Sequence, residues 1–466
     1  ENPLMPLTRR HFLAASTALA ASTALAALPR MAMASGQTRI TAAPATAQLA
    51  PEGYAATQVW AYNGAVPGQM LRFAQGDTLD VRLVNGLAEQ ETTIHWHGLR
   101  LPNAMDGVPD LTQAPVAPGA TFDYRFKLND AGTFWYHPHA NSLEQISRGL
   151  AGVLVVEEPE APDVDDDRVL VLDDWRMADD AVIHPSFGAW HDMSHAGRLG
   201  NYITVNATPE HRQSVRPGAR LRLRLVNTAT ARIFDLRFRG LNAWAVAHDA
   251  MPLEVPQRVE RLALGPAQRT DLIVDITAKA GEEAVLASVE REGTFALATF
   301  PVTGRAQATR PAPIALPPNI MPMIDLTEAR SMPLVMDGGA MRGLPEGATF
   351  EGQKMDMRAL AEEGQFWAFN GQVGMDDAPL LEAFEGETIR IPITNNTAFP
   401  HAMHLHGMHF REVLGEGFGP WRDTLLVGPN ETREVVFNAH NPGDWMFHCH
   451  MPSHQMSGMM NWIRVS

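Results

Sequence analysis

The chain has 466 residues, 45% of them apolar, with a net charge of −16. That length suits about three domains, and the apolar share is that of a globular protein rather than a disordered one. The negative balance argues against a nucleic-acid surface, which needs a basic stripe.

The first predicted element lies outside the fold. Thr8-Arg9-Arg10-His11-Phe12-Leu13 resembles a twin-arginine export signal, followed by an uncharged Ala/Leu run from Leu13 to Leu28. Ala32-Met33-Ala34 then fits a small-residue cleavage site. Residues 1–34 are therefore expected to be a signal peptide and the mature protein to be periplasmic. The apolar run is short and alanine-rich, which disfavours stable membrane insertion after cleavage. Gly36 to Leu49 reads equally well as a strand or a tail.

Two strand patterns then recur three times each. The first is a Gly turn leading into an alternating strand: Gly76 to Asn85, Gly218 to Asn227, and Gly386 to Asn395. Apolar residues at every second position mark half-buried strands. The second is a Pro-containing turn and another alternating strand: Ala117 to Phe126, Gly265 to Ile276, and Gly428 to Phe437. Each follows its first pattern at a similar interval, so three related β domains are expected. The fold class is all-β, three consecutive sandwiches, expected at 35–158, 159–305 and 306–466. The acidic run Glu157 to Asp167 would join the first two. The Pro-rich run Pro301 to Pro333 would lead into the third, and a short helix is expected between Met355 and Glu363.

Metal-ligating residues are spread unevenly over these repeats. The first domain carries His95-Trp96-His97-Gly98 and Trp135-Tyr136-His137-Pro138-His139. The third carries His401-Ala402-Met403-His404-Leu405-His406-Gly407 and His448-Cys449-His450-Met451-Pro452-Ser453-His454. At the equivalent points the second domain has Ile233 to Phe238 and Glu283 to Ser288, without histidine, so it is expected to be a spacer. Histidines at i and i+2 of a strand face the same side. The four pairs 95/97, 137/139, 404/406 and 448/450 supply eight imidazoles, enough for three copper ions where the first and last domains meet.

Cys449 is the only cysteine of the chain. A thiolate with two histidines and a weak methionine is the ligand set of a blue copper centre. His454 and Met459 follow it at five and ten residues. Strand alternation points Cys449 one way and its two histidine neighbours the other, joining that centre to the eight-imidazole site by two residues of chain. One cysteine forms no intramolecular disulfide, and a thiolate held by a metal is protected from oxidation.

These four motifs resemble those of the multicopper oxidase family in its three-domain, cupredoxin-like Greek-key form, over nearly all of residues 40–466. The resemblance implies a type 1 copper on His401, Cys449 and His454 with Met459 axial, a type 2 copper on His95 and His404, and a type 3 pair on His97, His137, His139, His406, His448 and His450. It implies four copper ions and an active laccase-like enzyme. A small reducing substrate, a phenol or Cu(I), would give electrons one at a time near His454 at the surface. These would pass through Cys449 to His448 and His450, and dioxygen would be reduced to two waters. It also implies a proton-donating acid at Asp106, which otherwise reads as a turn residue before Gly107. Related bacterial enzymes often have Glu directly after the second type 1 histidine. Here Gln455 stands there and cannot act as an acid.

Methionine is abundant at 23 residues. Met321, Met323, Met332, Met336 and Met341 fall in the third domain's approach, and Met403, Met408, Met451, Met456 and Met460 surround the type 1 ligands. Thioethers favour Cu(I), so they read either as a cuprous delivery path for copper tolerance or as flexible core filler. A non-enzymatic cupredoxin scaffold is the third reading, disfavoured by the full ligand set. His191-Asp192-Met193-Ser194-His195 reads as loop packing rather than a further metal site. Gly415 to Gly419 lacks the following helix a nucleotide loop needs.

Overall fold

The computed structural model describes residues 36–291, 293–415 and 417–466. The expected export signal lies outside the described residues. Gly36 to Leu49 resolves in favour of order: Thr38–Ala47 is a strand, paired antiparallel to Thr57–Tyr62 and parallel to Thr78–Asn85.

The two recurring patterns are partners. Thr78–Asn85 pairs antiparallel with Thr121–Lys127, Arg220–Asn227 with Arg269–Ile276, and Thr388–Asn395 with Thr432–Asn438. In each copy the Gly-turn strand also takes a parallel partner earlier in the chain: Thr38–Ala47, Asp166–Trp175 and Leu334–Gly338. A parallel neighbour cannot be reached by a tight hairpin, so the chain crosses between two sheets in each repeat. The second sheet of the first sandwich runs Gly68–Ala74, Gly152–Glu157, Gly132–His137, His95–His97. Its counterpart in the third is Leu381–Ala383, Met460–Val465, Gly443–Cys449, His401–Leu405, Thr424–Val427. The fold is thus all-β, three cupredoxin-like sandwiches in series.

The asparagine that ends each first pattern has a shared task. Asn85, Asn227 and Asn395 each donate from Nδ2 to a carbonyl of the following loop (Gln90, Arg232, Phe399) and to one just before the second pattern's strand or its turn (Val116, Leu264, Val427), and each accepts on Oδ1 from a backbone N–H two residues on. The pin closes the loop that delivers the next strand, which carries the histidines in the first and third sandwiches. Its polar groups are satisfied inside the fold, where an unpaired one would cost about 1–3 kcal/mol.

Burial departs from the alternation expected for the second copy. Every residue of Arg220–Asn227 is buried. Arg222 binds Glu158 and Asp271, and Arg224 binds Asp167, Asp271 and the Thr133 hydroxyl of the first sandwich. The arginine face is covered by the neighbouring sandwich, and paired carboxylates make that burial tolerable. Buried apolar residues of the first and third sandwiches form one continuous set, from Ile40 and Trp96 through to Phe447 and Ile463, whereas the second has its own core around Leu223, Phe234 and Leu272. The first and last sandwiches therefore pack face to face, as the histidine spacing required.

No strand or helix lies between Pro301 and Arg330. This segment is tied down by Asn319, which exchanges two hydrogen bonds with the Ala131 backbone. The expected helix is present as Met357–Glu362, capped by the Asp356 carboxylate on the Ala359 N–H. Gly417 and Gly419 lie on the strand Gly417–Arg422, which pairs antiparallel with Phe410–Leu414, so no helix follows.

Candidate metal centre

Register brings the eight histidines together. His95 stands opposite His137 across one antiparallel ladder, and His404 opposite His448 across another. His95, His97, His137, His404, His406 and His448 are at most 1% exposed, His450 3% and His139 7%. The rings of His95 and His406 stack at 4.0 Å between centroids, and those of His97 and His404 at 3.8 Å, which joins the first sandwich to the third.

The hydrogen bonds fix which nitrogen is bare in six of the eight rings. A carbonyl oxygen only accepts, so the ring nitrogen beside it carries the proton. By this rule Nδ1–H of His95 donates to the Asp106 carbonyl (2.8 Å), that of His137 to Pro138 (3.0 Å), that of His404 to Asp423 (2.8 Å) and that of His448 to Cys449 (3.0 Å). His406 donates from Nδ1 to the Asp106 carboxylate at 2.8 Å. In these five rings Nε2 is left as a bare lone pair. His97 is reversed: Nε2 donates to Asp423 Oδ1 at 3.2 Å, leaving Nδ1 bare. Such outer partners set tautomer and orientation in metal sites.

The bare nitrogens converge. His406 Nε2 lies 3.0 Å from His448 Nε2, and His137 Nε2 lies 3.2 Å from His450 Nε2. His95 Nε2, His97 Nδ1 and His404 Nε2 are buried and have no hydrogen-bond partner. Facing lone pairs repel, and each orphaned acceptor costs about 1–3 kcal/mol. A shared cation removes both penalties. Triads whose ligand atoms lie within 4.8 Å of one another include His139, His406 and His448, and His95, His404 and His406. Burial, then like-charge neighbours, hold His97, His139, His404 and His406 well below the ordinary imidazole range. Burial pushes His448 down to about 3. The rings stay neutral, the form that ligates.

On the other face of its strand Cys449 meets His401 and His454. Sγ lies 3.6 Å from Nδ1 of each, and the two Nδ1 atoms are 3.0 Å apart. His454 Nε2–H donates to the His195 carbonyl at 2.7 Å, so its Nδ1 is bare. His401 Nε2 lies 2.8 Å from the Thr397 hydroxyl, itself held by Asn395 Oδ1. Met459 is fully buried beside this group, its backbone bonded to Cys449 and His454. Burial pushes the Cys449 thiol up to about 12, so ionising it takes a metal. A soft sulfur with imidazoles is a donor set that fits copper.

Asp106 is buried, its Oδ2 bonded to His406 and its Oδ1 without a hydrogen bond, 3.3 Å from His95 Nδ1. Gln455 is buried with only a weak contact to Met446 Sδ at 3.9 Å. His454 lies just beneath the surface rather than at it. It is 0% exposed, covered by the helix Trp190–Ser194 of the second sandwich and by the Trp367 ring at 4.5 Å. His191 and His195 stack at 4.1 Å, and it is the His195 carbonyl, not its ring, that reaches the site. Met336, Met403, Met408 and Met451 are buried, whereas Met323, Met341, Met357 and Met456 are exposed.

Sequence reading missed Asp423, Thr397 and Arg269. Asp423 stands at 0% exposure, orienting His97 through its carboxylate and His404 through its carbonyl. Its signal was a charged pair, Arg422-Asp423, running straight into the apolar strand Thr424–Val427.

Family models described as "Multicopper oxidase" match residues 44–161, 166–301 and 351–466. A solved multi-copper oxidase from Pseudomonas Thermotolerans is 34% identical, covering 92% of this chain and 99% of that one, with a TM-score of 0.80. Laccase-1 of Botryotinia fuckeliana is 28% identical over 85% of this chain and 77% of its own length. A copper resistance protein A homolog of Pseudomonas syringae pv. tomato is 26% identical over 86% and 88%.

Proposed function

We propose, from the premise that this chain belongs to the multicopper oxidase family and is a copper-dependent oxidoreductase using dioxygen, that it is a laccase-like oxidase of small aromatic donors. The observation that carries the donor class is the surface above His454. The Nε2–H bond to the His195 carbonyl leads to a half-buried His195 ring stacked on His191, which is 79% exposed, beside Trp190 at 61%. A phenol ring laid on this aromatic face lies one hydrogen bond from a Cys449 ligand partner.

His401, Cys449, His454 and Met459 would hold a type 1 copper, His95 and His404 a type 2 copper, and His97, His137, His139, His406, His448 and His450 a type 3 pair. The triad His139, His406 and His448 and the contact of His137 with His450 support that division of the pair. When bound, the four coppers supply the one-electron steps that couple donor oxidation to reduction of dioxygen to two waters. The protein's own residues do the rest. The outer hydrogen bonds of His95, His97, His137, His404, His406, His448 and His454 keep one nitrogen of each of those rings free, and the strand Gly443–Cys449 ties the two sites together. Sandwich strands ending at Glu157 and Pro301 support placing domain boundaries near 158 and 305. The twin-arginine pattern supports a periplasmic location. Among the described residues no helix is long and apolar enough to cross a membrane.

Asp106 is placed to move a proton. One oxygen is committed to His406, and Oδ1, which makes no hydrogen bond, lies 3.3 Å from His95 Nδ1. Asp106→Asn keeps the shape and removes the acid. Reoxidation of the reduced enzyme by dioxygen should slow about 100-fold, while anaerobic reduction of the blue centre by a phenol stays unchanged. Stopped-flow measurement of both halves checks this, and equal rates in both would return Asp106 to a turn role.

A cuprous oxidase is the second reading, favoured by the exposed thioethers of Met341, Met357 and Met456. Met456 sits on the helix that carries His454, and Ala340, next to Met341, donates to the Ser194 carbonyl of the covering helix. Dioxygen uptake by the copper-loaded protein separates the two. Phenol-driven uptake unaffected by added copper is expected. Uptake driven by low Cu(I) and not by phenol would overturn the aromatic-donor reading.

A further inference from the structure

The second sandwich carries none of the proposed copper ligands, yet it reaches the histidine cluster through one side chain. Arg269, the first residue of the strand Arg269–Ile276, is 0% exposed. Its guanidinium grips the Asp423 carboxylate with two bonds, NH1 to Oδ1 at 2.9 Å and NH2 to Oδ2 at 2.5 Å. The fork matches a carboxylate's two oxygens, which gives direction as well as attraction. The same side chain donates from Nε to the Thr133 carbonyl at 3.3 Å, on the strand that carries His137, and from NH1 to the Ala267 carbonyl at 3.1 Å. One arginine therefore holds all three sandwiches.

Asp423 is what the arginine positions. Oδ1 accepts from His97 Nε2 at 3.2 Å and from the Thr424 hydroxyl at 2.8 Å, and the Asp423 carbonyl accepts from His404 Nδ1. His97 is the ring with its bare nitrogen at Nδ1 instead of Nε2. A ring flip would exchange the two nitrogens, and the carboxylate is what opposes it. Asp249, also buried, and the partly exposed Arg422 complete a group of two acids and two arginines across the junction of the second and third sandwiches. Space is reserved for it. Gly98, at φ +86°, follows His97, and a Cβ there would strike both the Arg269 guanidinium and the Asp423 carboxylate.

We propose that Arg269 is a positioning residue for the histidine cluster, locking Asp423 so that His97 presents Nδ1 and His404 presents Nε2 to the metal. This rests on the copper reading above. Loss of an outer-shell partner typically lowers metal affinity about 10–100-fold.

The test uses full-length Arg269→Gln, Arg269→Lys, Asp423→Asn and the Gln/Asn double variant, each copper-loaded. Three quantities are read: copper per chain, the near-ultraviolet band of the coupled pair, and copper retention against a chelator. The blue absorption of the Cys449 site reports whether the fold stands. Arg269→Gln should lose cluster retention about 10–100-fold with the blue absorption intact, and Arg269→Lys should fall between it and the unaltered protein. The double variant should match Asp423→Asn alone, because the arginine acts through that carboxylate. Unaltered retention and band in Arg269→Gln would overturn the proposal. Should Arg269→Gln also lose its blue absorption, Arg269→Lys decides: weakened retention with blue intact supports the proposal, and unaltered retention overturns it. An unaltered protein that loads no copper with either signature defeats the copper reading instead.

Discussion

Cys449→Ser is expected to abolish oxidation of any donor while leaving the eight-histidine cluster able to load copper. The argument rests on which atoms the substitution touches. Sγ sits 3.6 Å from the bare Nδ1 of both His401 and His454 on one face of its strand. The cluster histidines His448 and His450 stand on the other face, and their ring contacts run to His406 and His137. Serine is smaller and keeps the strand geometry. Its oxygen is a hard donor, though, and a hydroxyl does not ionise as a thiol on copper does. A donor then has no blue centre to reduce. Turnover should fall by at least about 1,000-fold, about 4 kcal/mol in barrier, and the blue absorption should vanish. Copper content should drop by about one ion per chain while the near-ultraviolet band of the coupled pair persists. Donor-driven dioxygen uptake and metal analysis check this together, and retained turnover would refute the placing of electron entry at Cys449.

The chemistry was more legible than its supports, for a physical reason. Ligand strands obey a period of two, so His95 and His97, or His448 and Cys449, announce their faces from spacing alone. The three copies of Gly-turn strand and Pro-turn strand proved to be ladder partners for the same reason. What escaped were contacts between residues far apart in sequence. Arg269 meets Asp423 at a separation of 154, and His454 meets the His195 carbonyl at 259. No periodicity encodes either. The arginines of Arg220–Asn227 misled in the opposite sense, since an alternating charged face reads as solvent-facing until a second sandwich covers it. The cover over His454 was illegible for the same reason: it is a five-residue helix from another sandwich.

Stripped of copper, the protein should become acid-labile far above the pH at which the loaded protein fails. His97, His137, His139, His401, His404, His406 and His450 are all held well below the usual imidazole range, chiefly by burial. His454 is held down to about 4 and His448 to about 3. The sign follows from the unfolded chain, whose imidazoles take up protons below about pH 6.5 while the native ones do not. The unfolded state binds more protons in that window, so stability falls as pH falls, by up to about 1.4 kcal/mol per pH unit for each such histidine. Three of them responding fully would remove about 4 kcal/mol per unit, a large part of the roughly 5–15 kcal/mol that holds a domain. The loss begins near pH 6.5 and continues to about pH 4 for His454 and about pH 3 for His448. Cys449 works on the alkaline side, where its native thiol, up to about 12, stays protonated while the unfolded one ionises above about pH 8.5. Between about pH 8.5 and 10 that arm should be shallow, steepening above as the buried Tyr62, Tyr124 and Tyr136, held above their ordinary range by burial, join it. Copper occupies the bare nitrogens and makes protonation compete with metal release, so the loaded protein should hold a nearly flat unfolding midpoint from pH 7 to 5. Thermal unfolding followed by circular dichroism, with and without copper, measures the difference. A metal-free midpoint that does not move between pH 6.5 and 5 would mean the cluster relaxes and hydrates its imidazoles, and is not the closed, neutral set drawn from the hydrogen bonds.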